Sequence, residues 1–148
     1  TTTALASAME DMDLLVFTNS LTVASELSRL DHVKTFVIGG RLTRYSKSTI
    51  GARAVEAVRS LTFDRVFLGV TGYQRGEGFS CGSDDEAVFK SKLVERSHKC
   101  VVLMDSSKEG RPSTFRVCDL PSVDVVGSDG GLSNDFVAAC EDADVTLL

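Results

Sequence analysis

Long apolar runs are missing from this sequence. None approaches the roughly 18 residues that a membrane-crossing helix requires, and nothing resembles a secretory leader. A soluble, cytoplasmic chain without membrane partners is the expectation. Basic runs are missing too: 16 Lys and Arg stand against 21 Asp and Glu, for a formal net charge of -5. Without a stripe of cations to track phosphates, the chain by itself is not expected to hold nucleic acid. Cys81, Cys100, Cys118 and Cys140 show no C-x-x-C spacing and do not cluster with His32 or His98. Zinc and dithiol chemistry are therefore disfavoured, leaving reduced thiols, no metal and no cofactor as the expectation. No H-E-x-x-H, G-x-S-x-G, Walker or G-x-G-x-x-G pattern occurs, so no ready-made enzyme signature is present. Proline occurs only at 112 and 121, within a stretch, 106–122, that lacks clear periodicity.

What is there is an alternation of periods. With 43% hydrophobic and 25% charged residues in 148 positions, the chain is sized for one domain with a real core. Short apolar runs at 14–17, 35–38, 66–68, 101–104 and 123–126 read as strands, mostly buried on both faces as parallel strands are. Between them, 21–30, 52–61, 84–97 and 134–143 carry helical spacing. The pattern predicts an α/β fold, a mainly parallel sheet flanked by helices in a single domain. In such folds ligands sit beyond the carboxyl ends of the strands. The sequence begins abruptly, Thr1-Thr2-Thr3 leading straight into a helix former without a feeding strand, which suggests a fragment of a longer protein.

The predicted strand ends are small, hydroxylated or glycine-rich: Thr18-Asn19-Ser20, Gly39-Gly40, Gly69-Val70-Thr71-Gly72, Asp105-Ser106-Ser107-Lys108 and Gly127-Ser128-Asp129-Gly130-Gly131. Such residues admit a ligand to the backbone, and a following helix N-terminus suits phosphate. Each also has a plainer reading. Asn19 and Ser20 are good N-caps, and capping is the favoured account of them taken alone. Gly39-Gly40 is an ordinary loop signal, and Gly76-Glu77-Gly78 a flexible turn. Thr1, Thr2 and Thr3 are either caps or a phosphate cradle. Ser83 and Glu86 have capping-box spacing, while Glu86 keeps a second reading as a polyol contact. The basic, hydroxyl-rich loop 41–49 either closes over an anion or is a solvated surface loop.

Taken in order, Thr1-Thr2-Thr3, Phe17-Thr18-Asn19-Ser20, Ile38-Gly39-Gly40-Arg41-Leu42, Gly51-Ala52, Phe63-Asp64-Arg65-Val66-Phe67-Leu68-Gly69, Glu86-Ala87 with Lys90, and Asp105-Ser106-Ser107-Lys108-x-Gly110 resemble the C-terminal effector domain of DeoR-type bacterial transcriptional repressors. The resemblance runs from residue 1 to about 128. It implies a ribose-5-phosphate isomerase-like fold, related also to CoA transferases, that binds a phosphorylated sugar or related metabolite. It further implies a DNA-binding winged helix-turn-helix in the full-length protein, absent here, so that 1–148 would be an effector domain truncated at its N-terminus. Carried over residue by residue, it makes Thr1, Thr2 and Thr3 the remainder of a phosphate loop, Asn19 and Ser20 neighbours of that pocket, and Glu86 and Lys108 polar contacts to the sugar phosphate. Gly39, Gly40, Gly69 and Thr71 complete the expected ligand-binding set.

The resemblance to the isomerase is partial. Its Asp-Gly-Ala-Asp segment corresponds here to Leu68-Gly69-Val70-Thr71, and its Lys-Gly-Gly to Ser80-Cys81-Gly82, so that only Glu86 and Lys108 survive. Thr71 also stands where most family members carry Asp. These departures imply a site that binds without catalysing, while the resemblance to the DeoR-type family implies a homo-oligomer as the usual assembly. The rival reading is an isomerase-like enzyme with Glu86 as base.

Overall fold

The computed structural model describes residues 1–148, and the chain divides into two compact units, Thr1–Ser60 and Leu61–Leu148. In the first unit, α1 (Thr2–Ala8) precedes β1 (Leu14–Thr18), α2 (Leu21–Leu27) and β2 (Val33–Val37). β1 and β2 pair in parallel, from Leu14 opposite Val33 to Thr18 opposite Val37. The even-numbered residues of β1 share a face with Val33, Thr35 and Val37, because paired residues of neighbouring strands point the same way. Val16 and Val33 on that face join Ala6, Leu27 and Leu30 from the helices in one apolar cluster. A short antiparallel pair, β3 (Arg41–Leu42) and β4 (Thr49–Ile50), then leads into α3 (Ala52–Arg59), where Ala54 and Val58 are fully buried.

α1 is only seven residues long, too short to persist on its own. Its C-terminal carbonyls are taken over by a residue beyond α2. One guanidinium nitrogen of Arg29, Nη2, donates to Ala6 O at 3.1 Å, Ser7 O at 2.8 Å and Met9 O at 2.8 Å. A cation at a helix C-terminus also meets the negative end of the macrodipole.

The second unit carries β5 (Phe63–Gly69), β6 (Gly72–Gln74), β7 (Gly78–Cys81), α4 (Asp84–Glu95), β8 (Ser97–Leu103), β9 (Phe115–Cys118), β10 (Val125–Gly127), α5 (Asn134–Asp142) and β11 (Thr146–Leu147). Four strands form a parallel sheet in the order β11-β10-β8-β5. The core gathers Val66, Leu68, Cys100, Val102 and Val126 from this sheet with Phe79, Phe136 and Met104. The expected parallel α/β architecture is therefore present.

The sequence did not announce the second, antiparallel sheet, β6-β7-β9. Its strands have three or four residues and two begin with glycine, so no period-2 pattern has room to show. Glycine is what makes the sheet possible. Gly78 has φ +83°, and a Cβ there would collide with the Cys118 carbonyl; at Gly72 a Cβ would strike the Arg111 carbonyl. The Gly76-Glu77-Gly78 turn is thus the hairpin between β6 and β7, closed by Glu77 N–H on Gln74 O at 3.0 Å. β8 also starts earlier than its apolar run, at Ser97, because β5 pairs with it along its whole length and recruits the exposed His98 and Lys99.

Two glycines of this hairpin separate backbone strain from steric exclusion. Gly76 has φ +81° and open space around it, so Gly76→Ala is expected to cost about 1 kcal/mol. Gly78→Ala adds a backbone collision and is expected to cost on the order of 3 kcal/mol. Urea melts of the two variants check the ranking; equal losses would remove the steric account.

Candidate functional site

The ends of the first unit's parallel strands are laced with short polar side chains. Ser20 Oγ accepts from Val23 N–H at 3.3 Å, the capping role expected of it, and also lies 2.9 Å from Thr22 Oγ1. Thr22 Oγ1 is in turn 3.2 Å from Thr3 Oγ1. Thr3 and Ser20 are therefore joined through a residue that sequence reasoning passed over. Asn19 is not a cap. Its Nδ2 donates to Thr49 O at 2.8 Å, while Asn19 O accepts from Thr49 N–H at 2.8 Å, and Thr49 Oγ1 bonds the Ile38 carbonyl. Thr1 is the N-cap of α1 without a side-chain capping bond, and Thr2 opens the helix.

Gly39 and Gly40 have different reasons to be glycine. A Cβ on Gly40 would stand 2.7 Å from Ile50 O and 3.4 Å from the Ala54 Cβ, so packing requires the glycine. A Cβ on Gly39 meets nothing within 4 Å. The 41–49 loop folds on itself: Thr43 Oγ1 donates to Ser48 O at 3.0 Å, and Ser46 Oγ bonds both Thr43 and Ser48 hydroxyls.

In the second unit, Glu86 does not complete a capping box. Ser83 is the N-cap of α4 but makes no side-chain bond, and Glu86 turns instead to Lys90 one turn on. Lys90 Nζ also donates to Gly69 O, the last carbonyl of β5, at 2.7 Å. Both side chains are largely covered, Lys90 to 15% exposure and Glu86 to 29%. The arrangement places a carboxylate and an ammonium at the carboxyl end of β5, with Glu86 Oε1 engaged and Oε2 open. Thr71 is exposed, two residues past Gly69, and its N–H donates to Ser80 O at 3.0 Å.

Lys108 ends a 3-10 turn, Ser106–Lys108, that follows β8. Asp105 serves that turn, accepting from Ser107 N–H at 3.1 Å and from the Ser107 hydroxyl, which holds its carboxyl below the usual carboxylate range. Asp129, in the loop after β10, accepts from Ser106 N–H at 3.0 Å and Gly131 N–H at 3.3 Å, and its pKa is lowered by those two bonds foremost. Glu109 takes Ser133 N–H at 2.9 Å and its hydroxyl, at the N-cap of α5. The half-buried Lys108 donates its backbone N–H to Asp105 O at 3.1 Å. Its ammonium makes no side-chain hydrogen bond or ion pair, and acts on Asp105 through space, helping to lower that carboxyl's pKa.

The buried cysteines have free thiols, and burial pushes Cys140 up to about 11. Cys118 hydrogen bonding, then burial, holds Cys100 well above the ordinary thiol range, so neither offers a ready thiolate. No three His, Cys, Asp or Glu side chains gather as a metal site. No helix is long and apolar enough to cross a membrane.

Residues 1–130 match the family described as the DeoR C terminal sensor domain. The chain belongs to this family. Among its relatives, a putative aga operon transcriptional repressor of Escherichia coli O157:H7 is 30% identical over 92% of this chain and 51% of its own length. The HTH-type transcriptional regulator GlpR of Haloferax volcanii is 33% identical over 94% of the chain and 54% of its own. An L-fucose operon activator of Haemophilus influenzae is 26% identical over 95% and 56%. The chain thus spans about half the length of these relatives. All three bear the names of transcriptional regulators.

The DeoR-type motif had included Lys90 without a role; its i,i+4 spacing from Glu86 was the available signal. Thr22 was not singled out, and Thr49 and Asp129 were read only as parts of a loop and a strand end; the contacts that give them their roles, to Thr3, Asn19 and Ser106, lie far along the chain. Lys90→Met is expected to destabilise the domain by about 1–2 kcal/mol, because Glu86 keeps a half-buried charge without its partner. Lys90→Met with Glu86→Gln should recover part of that loss, measured as a double-mutant cycle in urea; strict additivity would show that the pair is uncoupled. The Asp129 carboxylate contributes stability above its unfolded pKa, near 4, and that contribution is lost as pH falls through its lowered folded value. The melting difference between wild type and Asp129→Asn should therefore be largest near neutrality and shrink below about pH 4. A difference that does not change with pH would count against the charge-assisted bonds.

Proposed function

We propose that this DeoR sensor domain is the effector-binding part of a transcriptional regulator, and that its effector is a small phosphorylated sugar or related phosphometabolite. The observation that carries the reading is Lys108. An ammonium that makes no side-chain hydrogen bond or ion pair, held at a strand's carboxyl end by a turn whose other polar groups are engaged, is a ready cation for phosphate. At the carboxyl end of the neighbouring strand, β5, Glu86 of α4 offers Oε2 as an acceptor for sugar hydroxyls while Lys90 balances its charge. Gly69 and the exposed Thr71 belong to the same strand end. In the first unit, Thr1, Thr2 and Thr3, with Asn19, Ser20, Gly39 and Gly40, are a second proposed set of ligand contacts. Thr3 and Ser20 offer hydroxyls, and Gly39 leaves its backbone open. Asn19 and Gly40 are held to their neighbours and contribute by shaping the strand ends.

The name of the L-fucose operon activator supports a link to sugar metabolism. In the whole protein, cytoplasmic and homo-oligomeric on this reading, DNA is bound by a separate helix-turn-helix domain. The ligand changes how subunits are arranged. Tens-fold regulation asks that the ligand prefer one arrangement by about 2 kcal/mol.

A thermal-shift screen of pentose and hexose monophosphates, with the free sugars and inorganic phosphate as controls, tests the proposal. A phosphosugar at about 100 times its dissociation constant should stabilise the fold by about 2.7 kcal/mol. Lys108→Ala should weaken that ligand by about tenfold or more without lowering the melting temperature of the free chain. Silence across the panel would overturn the phosphosugar reading. Turnover of an aldose phosphate to its ketose, abolished by Glu86→Gln, would replace it with the isomerase.

A further inference from the structure

A cavity of about 370 Å³ opens in the second unit against the last turn of α5, within the ~300–1,000 Å³ usual for small-molecule sites. None of Gly69, Thr71, Glu86 or Lys108 lines it. One wall is Tyr73, 4% exposed, whose ring is held between Phe79 and Phe136 at centroid distances of 4.9 and 4.6 Å. The ring is fixed, yet its hydroxyl has no protein partner and is not sealed from solvent. Buried tyrosines ordinarily find a hydrogen bond. Burial raises the Tyr73 pKa, so that the phenol is a proton donor at neutral pH.

The charges around the cavity are divided. Arg116 is already paired with Asp119. Arg75, exposed on the β6–β7 turn, and Asp142, exposed in the last turn of α5, line the same cavity without an ion pair to each other or to anything else. An unpaired guanidinium is matched by a carboxylate, often through two parallel bonds. The C-terminal turn of α5 has no basic residue and ends in Glu141 and Asp142, so the macrodipole and the side chain both favour an ammonium there. Leu120 and Ala143 leave apolar space for a short stem.

We propose that this cavity binds a small α-amino acid zwitterion, its carboxylate taken by Arg75 and the Tyr73 hydroxyl, and its ammonium by Asp142 and the C-terminal end of α5. The site is separate from the phosphosugar residues and does not depend on that reading. Titration of the intact chain, followed by NMR, with L-serine, lactate and ethanolamine tests it, since the last two each lack one of the two charges. L-Serine is expected to bind with a dissociation constant of about 1 mM or tighter, and lactate and ethanolamine at least about tenfold more weakly. Arg75→Gln and Asp142→Asn, both on exposed side chains, should each weaken L-serine by about tenfold, and Tyr73→Phe by severalfold with its ring packing kept. Melting curves confirm that the variants are folded. No response to L-serine at about 50 mM overturns the proposal. So does lactate binding as well as L-serine, which would leave an anion site, or Arg75→Gln binding L-serine unchanged. Phosphosugar affinity should not change in any of these variants.

Discussion

A parallel strand runs out of hydrogen-bond partners at its carboxyl end, and the polar anatomy of this domain follows from that constraint. Each end is tied by a different device. After β1, Asn19 exchanges bonds with Thr49 and Ser20 caps α2. The last carbonyl of β5 is taken by Lys90, and the turn after β8 is closed by its own Asp105 and by Asp129 from the loop beyond β10. Acids, hydroxyls and one lysine thus do what further strand pairing does elsewhere in the sheet.

Against that background, function is read from what the ties do not use. Glu86 and Lys90 neutralise each other, Asp105 and Asp129 hold a turn, and Glu109 holds the cap of α5. Lys108 sits among these engaged groups without a side-chain hydrogen bond or ion pair of its own, its charge felt by Asp105 only through space.

The parallel strands and most helices were legible because their periods are long enough to register, as in 14–17 or 134–143. β6, β7 and β9 were not, since strands of three or four residues built around Gly72 and Gly78 depend on tertiary approach rather than on pattern. The site divides in the same manner. Glu86 stood out as a charge at a helix start and Lys108 as one at a strand end. Lys90's grip on Gly69, the Thr22 relay between Thr3 and Ser20, and the reach of Asp129 to Ser106 join residues up to 23 positions apart, and local reading does not see such pairs. Gly39 and Gly40 looked alike in sequence; only the neighbouring Ile50 carbonyl tells them apart.

The single Arg29 nitrogen that closes α1 has a consequence for the three threonines. A seven-residue helix anchored at its far end by another segment is present or absent together with that segment. The hydroxyls of Thr1, Thr2 and Thr3 are therefore not an independently mobile arm but ride on α2, with Arg29 as their latch. Whatever loosens that latch withdraws all three at once.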